Sequence, residues 1–173
     1  MHIGIIGAGQ LGRMMALSGI PLGLRFTMYD QRADVPGAAV APIVTGQFDD
    51  HRKLARFARG VDVVTFDWEN VPVESVRAIA KIRPVWPPPR SLAASQDRLS
   101  EKRLFQRLGI PVAPYSAIET RADLARAIAT IGAPGILKTR RLGYDGKGQV
   151  AIRRAADADD AFELLHGRPL LYE

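Results

Sequence analysis

The 173-residue sequence predicts an α/β protein in two parts, a parallel sheet with crossover helices and then a smaller α+β unit. Three observations lead there. Short apolar runs alternate with amphipathic stretches through the first half, as expected of strands that helices reconnect in parallel. Pro84 to Pro89 breaks that rhythm, because consecutive prolines neither continue a helix nor donate to a central strand. Beyond the break, two strand-like segments flank a loop rich in glycine and basic residues.

Taken in order, His2 to Ile6 reads as a buried strand, followed by glycines and a helix from Gln10 to about Ser18. Arg25 to Tyr29 is a second strand. Asp49 to Arg59 reads as a helix with Leu54, Phe57 and Ala58 on one face. Val61 to Phe66, largely β-branched and aromatic, is a third strand. Pro72 fits the first turn of the next helix, where its missing N–H is no loss. A second unit begins near Ser91 or Ser95, with a helix from Gln96 to Leu108 that Gly109 can cap. Thr120 and Asp123 form a helix-start pair before an alanine-rich helix to about Ile131. Gly135 to Lys138 and Gln149 to Arg153 are strands, Asp157 to Leu165 is a helix, and Pro169 to Glu173 is a last strand. Ending on an unpaired apolar strand leads us to expect a longer parent protein.

Composition narrows the functions. An apolar share of 47% fits an ordinary globular chain, and no apolar run approaches the roughly 20 residues of a membrane span. The N-terminus lacks a basic region ahead of its apolar stretch, which argues against a secretory signal. With no cysteine there are no disulfides or thiolate metal sites, which is compatible with a cytoplasmic location. The net charge of +6 is scattered rather than blocked, and aromatic residues do not interleave with it. Phosphorylated small molecules therefore fit better than nucleic acid or a membrane surface.

Gly7-Ala8-Gly9-Gln10-Leu11-Gly12 follows a strand and opens a helix, the context that a dinucleotide fingerprint requires. Asp30 closes the second strand where a ribose-binding carboxylate would stand. These residues alone are equally compatible with NAD binding and with tight strand-to-helix packing. The second glycine loop is more specific. Lys138 closes one strand, Gln149 opens the next, and Gly143, Gly146 and Gly148 let backbone N–H groups between them curl around phosphate oxygens. Lys138 and Lys147 offer point charges, and Arg140 and Arg141 planar forks. A hinged lid of this kind excludes water during phosphoryl transfer.

The segment LKTRRLGYDGKGQ resembles the N5-carboxyaminoimidazole ribonucleotide synthetase family of ATP-grasp enzymes. GIIGAGQLGRMMA (Gly4 to Ala16), TFDWENVP (Thr65 to Pro72) and SQDRLSEKRLFQRLGIPVAPY (Ser95 to Tyr115) agree with it in order. The resemblance implies a Rossmann-like pre-ATP-grasp domain over 1–94, then the linker helix and small lid subdomain of an incomplete ATP-grasp domain over 95–173. It implies ATP-dependent carboxylation of 5-aminoimidazole ribonucleotide with bicarbonate, in purine biosynthesis. ATP and Mg2+ are the implied cofactors, with the metal ligands beyond residue 173 and none within the chain. The partners implied are small molecules, with no nucleic acid or membrane, and family members are commonly homodimers as complete proteins.

Carried over by residue, Arg98 and Lys138 contact ATP phosphates, Gly143, Tyr144, Asp145, Gly146, Lys147, Gly148 and Gln149 form the lid, and Glu173 begins the adenine hinge. Tyr144, Asp145 and Lys147 face the aminoimidazole, where Asp145 holds or deprotonates the amine. Gln10, Leu11 and Glu69 meet the ribonucleotide. Lys147 stands where relatives often have arginine. Asp67 stands where they have glutamate, and no role is assigned to it. Plainer alternatives are that Arg98 pairs with Glu101 or Glu74 on a solvated face, that Glu69 is a turn residue, and that Trp68 and Trp86 only pack. The chain could also be a non-catalytic nucleotide-binding module or an NAD-binding Rossmann protein.

Overall fold

The structure, a computed structural model, describes residues 1–143, 146–165 and 167–173. Two compact units divide it, Met1–Ala93 and Ala94–Glu173.

The first unit is built from β1 (His2–Ile6), α1 (Gln10–Gly19), β2 (Arg25–Asp30), β3 (Ile43–Thr45), α2 (His51–Arg59), β4 (Val63–Phe66) and α3 (Val73–Ala80). Its four strands are parallel, in the order β3-β2-β1-β4. Successive residues of a strand face opposite sides of the sheet, and here both sides are covered. Ile6 therefore joins Tyr29, Leu54, Phe57 and Val64 in one cluster. Ile5 joins Ala16, Phe26 and Met28 in another. That two-sided burial explains why β1 reads as an unbroken apolar run. Connections leave β1 toward β2 on one side and reach β4 on the other, so the loop after β1 lies at a switch in strand order, where α/β sheets place ligands.

In the second unit α5 (Arg98–Arg107), β5 (Ser116–Ile118), α6 (Arg121–Ile131), β6 (Gly135–Thr139), β7 (Gln149–Ile152), α7 (Ala158–Leu165) and β8 (Leu170–Tyr172) form an antiparallel sheet, ordered β5-β8-β6-β7, with its helices. Leu124, Ile128, Leu137, Ile152, Ala161 and Tyr172 make its core. Thr120 and Asp123 form the expected capping box at the start of α6. A short helix, α4 (Pro89–Ser95), contains the point at which the two units divide. Among the described residues no helix is long and apolar enough to cross a membrane.

The fold class agrees with the sequence expectation, and the differences are local. Pro89 opens α4 where only a connector was expected, a position that suits a residue without an N–H. Pro72 caps α3 from outside instead of sitting in its first turn. The helix expected from Gln96 begins at Arg98, because Asp97 stops it with a side-chain cap. Strands β3 and β5 were not anticipated, since three residues are too few to display a period.

Gly135 is tightly enclosed. A Cβ there would lie 2.8 Å from the Glu173 carbonyl oxygen and against the Tyr172 ring, which is held because its hydroxyl donates to Gly132 O at 2.7 Å. Gly135→Ala should therefore lower stability by about 2 kcal/mol through overpacking. The urea midpoint checks this, and an unchanged midpoint would mean that the end of β8 yields freely.

Candidate functional site

In the first unit the glycine loop after β1 is held from both neighbouring strands. Gly7 takes φ +89°, and its N–H donates to Tyr29 O at 2.8 Å. Ala8 N–H donates to Asp30 Oδ2 at 2.8 Å, and Gly9 N–H to Asp67 Oδ2 at 3.1 Å. Arg32 N–H reaches the other oxygen of Asp30 at 3.3 Å, so the carboxylate expected at a ribose is engaged by backbone. No side chain caps α1, and the first N–H groups of a helix have no partner within it. Gln10 and Leu11, at that start, are exposed, as is Glu69 after β4. The Leu11 side chain lines an apolar cavity of about 630 Å³ with Met14, Phe26 and Phe66, so its polar offering is its N–H. Asp67, which had no role assigned from sequence, thus fastens the loop beside Gln10. A carboxylate directly after a strand facing a glycine loop was the available signal.

In the second unit β6 and β7 form a hairpin whose register pairs Lys138 with Gln149, and Thr139 N–H donates to Gly148 O at 2.8 Å. Gly148 has φ +70°, and a Cβ there would lie 2.6 Å from Thr139 Oγ1. Arg98 does not pair with Glu101, and Glu74 pairs with Arg77. Its Nε donates to Thr139 O at 3.1 Å and its Nη2 to Gly143 O at 2.7 Å. The first turn of α5 is thereby attached to the base of the lid. Arg140, expected to offer a fork to phosphate, gives it to Asp97 instead, at 3.1 and 2.7 Å. The same carboxylate accepts the N–H groups of Leu99 and Ser100 at 2.9 and 3.2 Å. Arg141 is 3.5 Å from Asp97 and, with Leu142 and Arg168, lines a cavity of about 590 Å³. Gly146 and Lys147 are exposed. Tyr144 and Asp145 lie outside the described residues.

Lys138 closes the hairpin beside a second charged group. Glu173 binds Lys138 through one carboxylate oxygen and Lys102 through the other, all three side chains being largely buried. Burial alone would raise the Glu173 carboxyl, but hydrogen bonds from Lys102 and Lys138 outweigh it and hold it below its usual range. Asp97 behaves alike. Burial raises it, whereas the Arg140 hydrogen bond and the N–H groups of Ser100 and Leu99 bring it below the ordinary carboxylate value. Sequence reasoning missed both Asp97 and Lys102. Asp97 had the signal of a helix N-cap, and Lys102 that of a cation one helical turn after Arg98.

A Rossmann-like sheet with a glycine loop at its switch point, followed by a small antiparallel unit with a basic, glycine-rich hairpin, defines a two-unit α/β architecture of the pre-ATP-grasp and ATP-grasp kind. The chain belongs to the ribonucleotide synthetase preATP-grasp domain family, whose model matches residues 1–96, and the ATP-grasp domain model matches residues 103–173. Over 173 residues it is 44% identical to the N5-carboxyaminoimidazole ribonucleotide synthase of Pseudomonas aeruginosa. The N5-carboxyaminoimidazole ribonucleotide synthetase of Thermus thermophilus superposes with a TM-score of 0.91 at 43% identity, over 99% of this chain and 46% of that one. The Aspergillus clavatus enzyme, solved with ADP and 5-aminoimidazole ribonucleotide, gives a TM-score of 0.89 at 27% identity, over 99% and 46%. The chain spans about half the length of the curated relatives it matches, 48% in the Pseudomonas case.

Asp97→Ala removes a helix cap and the partner of Arg140 together, and should lower stability by about 3 kcal/mol. A urea midpoint that does not move would show that the joint contributes nothing. Because Asp97 and Glu173 are both depressed, their contribution is complete above the ordinary carboxylate range of about 4 and is lost as pH falls through their lower values. Stability followed from pH 7 downward should therefore not fall on their account until the acid range, and Asp97→Ala should make the acid limb shallower.

Proposed function

We propose that this chain supplies the ribonucleotide-binding domain (1–94) and the linker helix with the small lid subdomain (95–173) of an ATP-grasp ligase. In a polypeptide of the relatives' length, that ligase converts 5-aminoimidazole ribonucleotide, ATP and bicarbonate into N5-carboxyaminoimidazole ribonucleotide, ADP and phosphate. The observation that carries the proposal is the base of the hairpin lid, where Lys138 stands at the mouth and Arg98 grips the backbone on either side of the hinge.

Phosphoryl transfer is mostly a matter of position and charge. Lys138 and Arg98 bring cations to the ATP phosphates, and the N–H groups of the glycine lid close over them. Bicarbonate oxygen attacks the γ-phosphorus, giving carboxyphosphate and ADP. The carbon dioxide unit then passes to the exocyclic amine with release of phosphate and loss of an amine proton, for which Asp145 is our assigned acceptor. Tyr144 and Lys147 face the aminoimidazole, Glu173 begins the hinge that meets adenine, and Gln10, Leu11 and Glu69 hold the ribonucleotide. Magnesium would neutralise the phosphates, and the resemblance puts its ligands in the remainder of a polypeptide of the relatives' length.

Support comes from the match of both family models in the expected order and from one relative solved with ADP and 5-aminoimidazole ribonucleotide. The complete polypeptide should release ADP only when bicarbonate and 5-aminoimidazole ribonucleotide are both present. ADP release indifferent to both would overturn the assignment. Lys138→Ala in that polypeptide should lower kcat/KM at least tenfold, about 1.4 kcal/mol of transition-state stabilisation.

A further inference from the structure

Lys102 has no part in the chemistry set out above, yet it sits in a built arrangement. It lies one turn after Arg98 on α5, and its Nζ binds the oxygen of Glu173 that Lys138 does not use. Side-chain exposures of 16% for Lys102 and Glu173 and 19% for Lys138 mean that this triad is drawn well out of water. The backbone of Glu173 is held in place. Its N–H donates to Ile136 O at 3.1 Å and its carbonyl accepts from Ile136 N–H, so the residue is fixed against β6. Lys102 is itself steadied, with its Nζ 5.4 Å from the Tyr115 ring centre and the Tyr115 hydroxyl 2.6 Å from Gln106 Oε1.

We infer that Lys102 is a positioning residue of the nucleotide site, holding Glu173 neutralised so that Lys138 can leave it for the phosphates, an inference that rests on the ATP-dependent function proposed above. Two ammonium groups and one carboxylate leave a single positive charge, which a polyphosphate can recruit. Without Lys102, the Lys138–Glu173 pair is neutral. Drawing Lys138 away then strands a largely buried carboxylate, and breaking a buried pair in this way is strongly unfavourable. The phosphates would also approach a carboxylate with no counter-charge. Lys102 thus acts on ATP through Glu173 and Lys138 without touching it.

The test is ATP binding by calorimetry, and KM for ATP and for aminoimidazole ribonucleotide, in the complete polypeptide carrying Lys102→Met, Lys102→Gln or Lys102→Arg. The Met and Gln variants should raise the ATP Kd and KM about tenfold and leave KM for the ribonucleotide within about twofold, while Arg should stay near wild type. A purely structural tie between α5 and Glu173 would instead weaken stability without this split. The decisive comparison is the double variant Lys102→Met/Glu173→Gln. It should bind ATP more tightly than Lys102→Met alone, since Lys138 then has no carboxylate to leave. ATP affinity unchanged in whichever of the Met and Gln variants folds, failure of Arg to rescue, or a double variant no tighter than the single one would each overturn the inference. Wild-type protein that binds no ATP would instead remove the proposed function itself.

Discussion

Everything in the second unit that bears on the lid depends on one buried carboxylate. Asp97 accepts two N–H groups at the head of α5 and both arms of the Arg140 fork. Arg98 N–H then donates to Arg140 O at 3.0 Å, so the end of β6 and the start of α5 are locked side by side. Only because of that lock can Arg98 reach the carbonyls of Thr139 and Gly143. A glycine-rich hairpin has much backbone freedom to lose on ordering. Arg98 fastens it at the carbonyls of Thr139 and Gly143. The hinge is set by charge and the span by glycine.

The same helix face carries the second electrostatic device. Residues four apart on an α-helix lie one above the other, so Arg98 and Lys102 project from α5 in the same direction. Their chemistries are divided as their partners require. A planar guanidinium reaches two backbone carbonyls at once, and a compact ammonium serves as a movable counter-ion for a carboxylate. Lysine at 102 and 138 on a single Glu173 gives a triad that can exchange partners, whereas the Asp97–Arg140 fork, two parallel bonds on a capped helix, is built to stay. One helix therefore supplies a permanent joint and an exchangeable one.

The sequence disclosed the framework more readily than the joints. The β1 apolar run, the α2 face of Leu54, Phe57 and Ala58, and the Lys138-to-Gln149 hairpin base all follow from period and composition, and the structure has them. What escaped was anything that depends on a partner distant in the chain. For Arg98, expected at the ATP phosphates or else in a surface pair, nothing local announced the hold on Thr139 and Gly143, more than forty residues on. Arg140 reads as a phosphate fork until Asp97 claims it. Local pattern specifies what a residue can do, and tertiary contact decides whether that capacity is already spent.

The first glycine loop shows the same distinction in its sharpest form. Glycine spacing encodes close approach of backbone, and a helix start attracts negative charge. Spacing says nothing of charges already present. Here Asp30 and Asp67 place two carboxylates on consecutive N–H groups of the loop, those of Ala8 and Gly9. A pyrophosphate drawn to those groups would have to displace both carboxylates and lie against them, losing much of what the helix start offers. The donors that remain are those of the first helical turn, at Gln10 and Leu11, with Glu69 nearby in the chain and exposed. Asp67, one residue past the end of β4, thus joins Asp30 in occupying the N–H groups that a dinucleotide phosphate would take.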